Sequence, residues 1–278
     1  MADSNSLTLT VLGSAGAYRT HDGSRASGYL VQHGATTIVL DLGHGTYAPL
    51  AAQIGIQNLP NVSAVAISHL HPDHWVDLAA LRHALVHGNK MGGDARSVSV
   101  ISPSGLAARL ATLLDDRTPE EQAAGAYDPL QPFAFSTWRI DAALPPLGGG
   151  RVVSIGDLTV RSARVRHTGE SYALRIAAAG LPGLTYSGDV SHWEDLAAIV
   201  QPGDTLLSEA AGGAAQWREG DRHVTAYGAG KAAAAAGVAR LLLTHFGAEV
   251  DAAEAVHAAA TEFSGEIVSV REGDRFEI

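Results

Sequence analysis

The sequence predicts an α+β protein in which two layers of strands are flanked by helices. Short apolar strands recur along all 278 residues, and helical segments separate several of them. Side chains of the kind that bind metal ions follow many of these strands at their carboxyl ends. Two strand layers covered by helices can bury such a succession of elements, so we expect a single domain over residues 1–278.

Composition narrows the class of protein. A hydrophobic content of 46% with 17% charged residues is typical of a soluble globular chain. The sequence has no apolar run of about 18 residues, the length that would predict a membrane span. Residues 1–6 lack the basic start and apolar stretch of a signal peptide, so we expect a cytoplasmic location. The absence of cysteine excludes disulfides, thiolate zinc sites and cysteine nucleophiles.

The first half of the chain alternates strands with helices. Residues 7–12 alternate apolar and polar side chains as a strand does, and residues 27–31 and 37–43 form a hairpin across Gly34. Asp41 lies near the end of that hairpin, where an unpaired buried carboxylate would be costly. The other predicted elements are helix 46–54, strand 65–67, a helix from 75 to about 87, strand 97–102 and helix 105–114.

Residues 117–150 differ in composition from their surroundings, with five prolines, three consecutive glycines and several aromatic residues. A long segment of this kind in an enzyme is often a lid or a pocket wall, whereas a surface insertion would not touch the substrate. Both interpretations are open. The second half then becomes strand-rich, with strands predicted at 152–155, 158–165, 171–176, 183–187, 205–209, 240–244, 267–270 and 275–278 and helices at 193–199, 223–237 and 251–263.

The stretch Ser68-His69-Leu70-His71-Pro72-Asp73-His74 concentrates metal ligands at the end of the strand 65–67. Three imidazoles and a carboxylate lie within six positions, and each can bind a first-row metal. In an extended backbone His69 and His71 point the same way, so both can reach one ion. Pro72 then turns the chain, which lets Asp73 and His74 address a second position nearby.

The same placement recurs at other strand ends. Strands whose carboxyl ends meet at one rim of a sheet bring such groups together. The candidate positions in chain order are Asp41, the His69–His74 cluster, His167, Asp189, Glu209 and His245.

These residues carry a resemblance to a known family. The motif His69-x-His71-x-Asp73-His74, followed singly by His167, Asp189 and His245, resembles the metallo-β-lactamase superfamily. That resemblance implies a four-layer αββα sandwich built from two similar halves. Glu209-Ala210 and His223-x-Thr225-Ala226 are most similar to the ribonuclease Z and phosphodiesterase branch.

The resemblance also implies a role for each residue. His69, His71 and His167 would hold a first zinc ion, and Asp73, His74 and His245 a second, with Asp189 bridging. Two ions about 3.5–4 Å apart share a hydroxide and clamp an in-line displacement. Manganese or iron would also suit one or both positions. The remaining roles are His223 as proton donor to the leaving group, Glu209 as the carboxylate that orients it, Asp73 as a catalytic group as well as a ligand, and Asp41 as hydrogen-bond partner of a metal-bound imidazole.

Two departures direct the expected function away from tRNA processing. Asp77 stands where ribonuclease Z usually has glycine, and only 21 residues lie between His167 and Asp189, too few for that family's long basic arm. The net charge of −10 also argues against a long nucleic acid partner. The motif His71-Pro72-Asp73-His74-x-x-Asp77-Leu78 is more similar to small phosphodiesterases of the superfamily. The resemblance therefore implies hydrolysis of phosphodiester bonds in a small anionic substrate, cyclic nucleotides included.

Other functions stay open at this point. A lactonase, β-lactamase or arylsulfatase would use the same metals, ribonuclease Z activity is a weaker alternative, and a binding protein that kept the fold is a third. A homodimer is compatible with all of them. Among the other histidines, His21, His33, His44 and His257 lack ligand spacing and are interpreted as solvated or packing groups, whereas His192 and Trp75 are candidates for the pocket lining.

Overall fold

The computed structural model describes residues 6–17, 19, 24–87, 97–125 and 128–278, and within them the chain forms two seven-stranded sheets. The first sheet has the order β14-β1-β2-β3-β4-β5-β6. Its strands are β1 (Thr8–Gly13), β2 (Gly28–His33), β3 (Thr36–Leu42), β4 (Ala64–Ala66), β5 (Val98–Ser102), β6 (Phe133–Thr137) and the C-terminal β14 (Arg275–Glu277).

The second sheet repeats the plan of the first. Its order is β13-β12-β11-β10-β9-β8-β7. In each sheet an antiparallel run, β1–β2–β3 or β7–β8–β9–β10, is followed by parallel pairs. The strands are β7 (Val152–Ile155), β8 (Leu158–Val165), β9 (Ser171–Ala178), β10 (Leu184–Tyr186), β11 (Thr205–Glu209), β12 (Arg240–Thr244) and β13 (Glu266–Ser269).

Three apolar clusters hold these layers together. One lies between the sheets, where Leu9 and Tyr29 of the first share a cluster with Leu158 and Tyr172 of the second. A second cluster joins the outer face of the first sheet to α1 (Tyr47–Ile54), α2 (Leu78–His87) and α3 (Leu106–Leu114). The third joins the second sheet to α5 (Ala226–Ala236) and α6 (Ala252–Ala260). The short helix α4 (Pro119–Ala124) has no buried residue and belongs to none of the three clusters. The predicted αββα sandwich is confirmed.

The largest differences from the predicted boundaries lie at helix ends. The helix predicted at 223–237 begins only at Ala226, because the Thr225 side chain caps it by accepting a hydrogen bond from Gly228 N at 3.1 Å. It ends before Gly237, whose φ of 66° is a left-handed conformation that glycine adopts readily. The helix predicted at 251–263 likewise starts after the capping Asp251 and ends at Ala260.

The segment 117–150 contains a strand and a helix that its composition did not predict. The strand β6 extends the first sheet beside β5, and α4 is closed by a capping box between Thr118 and Glu121. Trp138 is fully buried, and its Nε1 donates to Ile67 O at 2.7 Å. Part of this segment therefore belongs to the core of the sandwich. No helix among the described residues is long and apolar enough to cross a membrane.

Candidate metal centre

The strand ends of the two sheets meet at one end of the sandwich. His69 follows β4, His167 follows β8, and Asp189 follows β10. Glu209 is the last residue of β11, and His245 comes directly after β12. The structure brings together all ten predicted site residues, which are Asp41, His69, His71, Asp73, His74, His167, Asp189, Glu209, His223 and His245.

Four residues form a first group of potential ligands. The ligand atoms of His69, His71, His167 and Asp189 all lie within 4.8 Å of one another. His167 Nε2 is 3.3 Å from His71 Nδ1, and Asp189 Oδ2 is 3.6 Å from His167 Nε2. The short 3₁₀ turn Pro72–His74 begins directly after His71, which is extended, as the turning role of Pro72 predicted.

A second group lies beside the first. The ligand atoms of Asp73, His74 and His245 are within 4.8 Å of one another. Asp189 faces this group as well, because its Oδ1 is 3.4 Å from His74 Nε2 and its Oδ2 is 3.3 Å from His245 Nε2. Asp189 thus stands between the two groups.

Both groups fit divalent metal ions. His69 Nε2, His74 Nε2 and Asp189 Oδ1 are buried and have no hydrogen-bond partner among the described residues. Zinc binds nitrogen and oxygen at about 2.0–2.2 Å, so two ligands of one tetrahedral ion stand about 3.3–3.6 Å apart. The separations of 3.3–3.9 Å between ligand atoms are near that value and too long for strong hydrogen bonds.

In four of the five imidazoles, the protein holds the nitrogen that faces away from the groups. His74 Nδ1 bonds Asp41 Oδ2 at 2.7 Å, and His245 Nδ1 is 2.8 Å from Ser27 Oγ. His167 Nδ1 donates to Arg222 O at 2.9 Å, and His69 Nδ1 is 3.1 Å from Ser68 Oγ. Such contacts fix ring orientation and tautomer, which leaves the opposite nitrogen as an acceptor for a metal.

Asp41 is the most heavily bonded of these outer partners. Its two oxygens accept from Ser68 N, Ser68 Oγ, His74 Nδ1 and Tyr186 Oη, each at 2.7 Å. Asp41 and His245 also have positive φ angles, 52° and 54°. Non-glycine residues seldom adopt this conformation, and such strain is concentrated at functional sites.

The titration behaviour of two buried histidines fits a cation site. Burial, together with the neighbouring His74, holds the pKa of His69 well below its usual range, which keeps the ring neutral as a ligand must be. For His74, burial opposes the charged form, but the carboxylates of Asp189 and Asp41 outweigh it and raise its pKa well above the usual range. The carboxylates therefore favour positive charge at this position, which a divalent ion supplies.

His223 lies beside the ligand groups and is held by Glu209. Its Nδ1 is 3.1 Å from Glu209 Oε1 and 3.0 Å from Oε2. Glu209 is fully buried and also accepts from Val190 N and Ala211 N. Burial lowers the pKa of His223, but the Glu209 carboxylate outweighs that effect and raises it to about 9. Although His223 Nδ1 also lies close to Asp189 and His245, we assign it as a donor to Glu209 because that contact is the shorter one.

A cavity of about 630 Å³ opens onto these groups. The two residues predicted as candidates for its lining, Trp75 and His192, are not among its described lining residues. Trp75 Nε1 donates to Leu70 O, and His192 packs on Trp217. His44 was interpreted from the sequence as a solvated or packing group, but it lines the cavity. The lining comprises Gly16, Ala17, His44, His71, Pro72, Asp73, Asp189, Ala211, His223, His245, Gly247 and Ala248.

Three other sequence expectations concern residues away from the ligands. Asp77 accepts from Tyr47 N at 2.9 Å and so bonds the start of α1, which gives it a structural contact. His33 pairs with Asp157 at 2.6 Å, and His21 lies outside the described residues. The described residues of 117–150 contribute nothing to the lining of the cavity, so the lid stays a prediction.

Comparison with known proteins gives consistent matches along the chain. A family model described as a beta-lactamase superfamily domain matches residues 36–246. The uncharacterized protein ML1173 of Mycobacterium leprae is 30% identical over 97% of this chain and 88% of its own length. The probable metallo-hydrolase YhfI of Bacillus subtilis is 26% identical over 96% of this chain and 98% of its own.

Solved structures show the same fold. The crystal structure of YhfI, described as a metallo-beta-lactamase fold protein, has a TM-score of 0.81 at 23% identity and covers 99% of this chain and 100% of that one. Human tRNase Z, short form, has a TM-score of 0.68 at 18% identity over 97% of this chain and 98% of that one. The family model runs from β3 past His245 and contains every predicted site residue, and the chain therefore belongs to the β-lactamase superfamily, with the metallo-β-lactamase fold.

Proposed function

We propose that this chain is a dinuclear metal-dependent hydrolase of phosphodiester bonds in small anionic substrates, with cyclic nucleotides as the leading candidates. The ligand set of nitrogen and oxygen atoms suits two zinc ions, and manganese or iron would also be accepted. When bound, these ions would supply Lewis acidity and lower the pKa of water to near neutrality. The residues that would hold them are the two groups joined by Asp189.

The pairing of His223 with Glu209 carries the proposal. An alkoxide is a strong base, so a phosphodiester with an alcohol leaving group needs a proton donor as its P–O bond breaks. His223 is partly exposed in the cavity, whereas Glu209 beneath it is fully buried and fixes its Nδ1–H. The other ring nitrogen is then available to give a proton to the leaving oxygen.

The size and charge of the molecule support a small substrate. A cavity of about 630 Å³ lies within the range of small-molecule sites. Between His167 and Asp189 the chain forms only the β9–β10 hairpin, and the net charge of −10 disfavours a long polyanion. The likeness to tRNase Z concerns the fold, so tRNA cleavage is the weaker alternative.

The test compares two leaving groups in metal-loaded protein. We expect hydrolysis of both bis(p-nitrophenyl) phosphate and cyclic AMP. His223→Gln should slow cyclic AMP turnover about 10²–10⁴-fold, because its leaving alkoxide needs the proton. Turnover of bis(p-nitrophenyl) phosphate should fall far less, because p-nitrophenolate leaves without protonation. Bound metal, measured by elemental analysis, should be unchanged.

A matched control and two contrary results sharpen the test. His257→Gln changes an exposed histidine on α6 outside the cavity lining and should leave both rates as in the wild type. Robust hydrolysis of lactones without any phosphodiester turnover would overturn the proposal in favour of acyl transfer. Fewer than one bound ion per chain after zinc repletion would favour a binding protein.

A further inference from the structure

We propose that His44 is a substrate-binding residue that donates a hydrogen bond to a non-bridging oxygen of the phosphoryl group. This inference rests on the proposed function, because it takes the cavity above the metal ligands as the place where a phosphodiester binds. His44 is exposed and follows β3 on the first sheet.

The cavity lining leaves His44 as the unexplained titratable group. His71, Asp73, Asp189 and His245 belong to the two ligand groups, and His223 is bound to Glu209. Among the described lining residues there is no lysine or arginine, and the others carry small or apolar side chains. An anionic phosphoryl group in this space therefore has few side-chain N–H donors to meet.

The backbone around His44 is fixed on the side of the metal ligands. Gly43 packs so tightly there that a Cβ at this position would lie 1.8 Å from Asp73 O. Gly43 N donates to Ser27 O at 2.9 Å, and Ala26 N donates to His44 O at 3.1 Å. Because Asp73 is itself a proposed ligand, the turn holds the backbone of His44 in a constant position relative to the metal centre.

The other side of the turn is fixed as well. Thr46 is fully buried, and its Oγ1 donates to Gly43 O at 2.6 Å. Gly45 has a φ of 84°, which closes the turn in a conformation that side chains rarely adopt. Asp77 bonds Tyr47 N directly after it. Because the turn is already rigid, binding a ligand through His44 does not require ordering of the backbone, which suits a positioning contact.

His44 and His223 come from opposite halves of the sandwich and have different surroundings. These surroundings suit His223 to donate a proton to the leaving group and His44 to donate a hydrogen bond to the phosphoryl group. His223 follows β11 of the second sheet and is backed by a buried carboxylate, as a proton donor should be. His44 follows β3, and the carboxylate that interacts with it electrostatically is the half-buried Asp77, which bonds Tyr47 N. The fold holds the backbone of His44 through its carbonyl, which accepts from Ala26 N. Phosphoryl oxygens accept hydrogen bonds and do not donate, so a ring N–H of His44 matches them.

The experiment measures binding apart from turnover. Metal-loaded wild type, His44→Ala, His44→Gln and the control His257→Ala are compared for KM and kcat on cyclic AMP. Inorganic phosphate is titrated into each by calorimetry as a probe that needs no reaction. We expect His44→Ala to raise KM and the phosphate Kd about ten- to a hundredfold with a smaller change in kcat. His44→Gln keeps an N–H donor and should recover part of that loss.

The outcomes separate this inference from the proposed function. Unchanged KM and phosphate Kd in His44→Ala would overturn the inference, and so would a loss of bound metal, which would place His44 with the ligands. If the wild type hydrolyses no phosphodiester while His44→Ala still weakens phosphate binding, the proposed function fails and the role of His44 stands. Altered binding in His257→Ala would show that the effect is not specific to the cavity, and would also overturn it.

Discussion

Asp41 and Glu209 are fully buried carboxylates that each hold a histidine, one in each half of the sandwich. Asp41 is the last residue but one of β3 in the first sheet and bonds His74, which is itself fully buried. Glu209 ends β11 of the second sheet and bonds His223, whose side chain is 32% exposed. The same pair of functional groups thus occurs in two different solvent environments.

The difference in exposure separates two kinds of chemistry. His74 is enclosed between Asp41 and Asp189, so its free nitrogen can meet only an ion placed in the second group of ligands. His223 reaches the cavity, so its free nitrogen can meet a substrate. Under the proposed function, the buried Asp41–His74 pair supports a metal ion and the Glu209–His223 pair, which opens to the cavity, donates a proton.

The largest effect is expected when the Asp41 charge is removed. Asp41→Asn leaves four donors facing an amide, which should lower the free energy of unfolding by about 3–5 kcal/mol. It should also weaken metal binding about 10–100-fold, because His74 is no longer oriented. Asparagine tolerates the positive φ of 52° at this position, so the backbone is preserved. Urea unfolding and chelator competition measure the two effects.

Asp204→Asn is the matched control for that substitution. Asp204 is equally buried and accepts from Arg175, Gly183 N and Thr185 Oγ1, but it lies outside both ligand groups. It should destabilise the fold to a similar degree while metal affinity stays at the wild-type value. Equal losses of metal affinity in the two variants would mean that Asp41 acts through general stability alone.

The strand ends were predictable because they rest on local pattern. An apolar run followed by a polar ligand identified His167, Asp189 and His245 as neighbours, and the comparisons confirm the fold that this arrangement requires. The strand β6 was missed because prolines and aromatic residues around it obscure the alternation, and its place is set by pairing with β5. Trp138 directly follows β6, and the pairing of β6 with β5 places its side chain in the core, where Nε1 donates to Ile67 O.

Two residues near the site show where local pattern ends. His44 has no ligand spacing, and its turn is held beside the metal ligands by tertiary contacts such as that of Gly43 with the carbonyl of Asp73, thirty positions along the chain. Asp77 directs the expected function away from tRNA processing, yet its carboxylate bonds Tyr47 N in the first turn of α1. Both facts follow from tertiary contacts that a single sequence does not encode in any local period.

A smaller and more selective effect is expected when the charge of Glu209 is removed. Glu209→Gln should reduce cyclic AMP turnover about 10²-fold or more while leaving bound metal unchanged, because the carboxylate touches His223 and no ligand. The double variant with His223→Gln should be little slower than the slower single variant, since the pair acts as a unit. Additive losses in kcat would separate the two residues, and loss of metal would make Glu209 equivalent to Asp41.

The smallest effect is the pH dependence of the free energy of unfolding. It is measured in metal-free protein, where only protons bind to the histidines of the two halves. Glu209 raises the pKa of His223 to about 9, above the value near 6.5 of an unfolded chain. The charged pair therefore stabilises the fold fully below about pH 6.5, and this contribution disappears as the pH rises through about 9. Because the imidazole is about a third exposed, we expect the pair to contribute about 1–2 kcal/mol to the free energy of unfolding.

Urea unfolding of wild type and His223→Gln at pH 6 and pH 9.5, both in chelator, measures this contribution as the difference between the two proteins at each pH. If the two proteins differ in free energy of unfolding by the same amount at both pH values, Glu209 does not hold a protonated His223. The Glu209–His223 pair would then no longer qualify as a proton donor, and its contrast with the Asp41–His74 pair would fail.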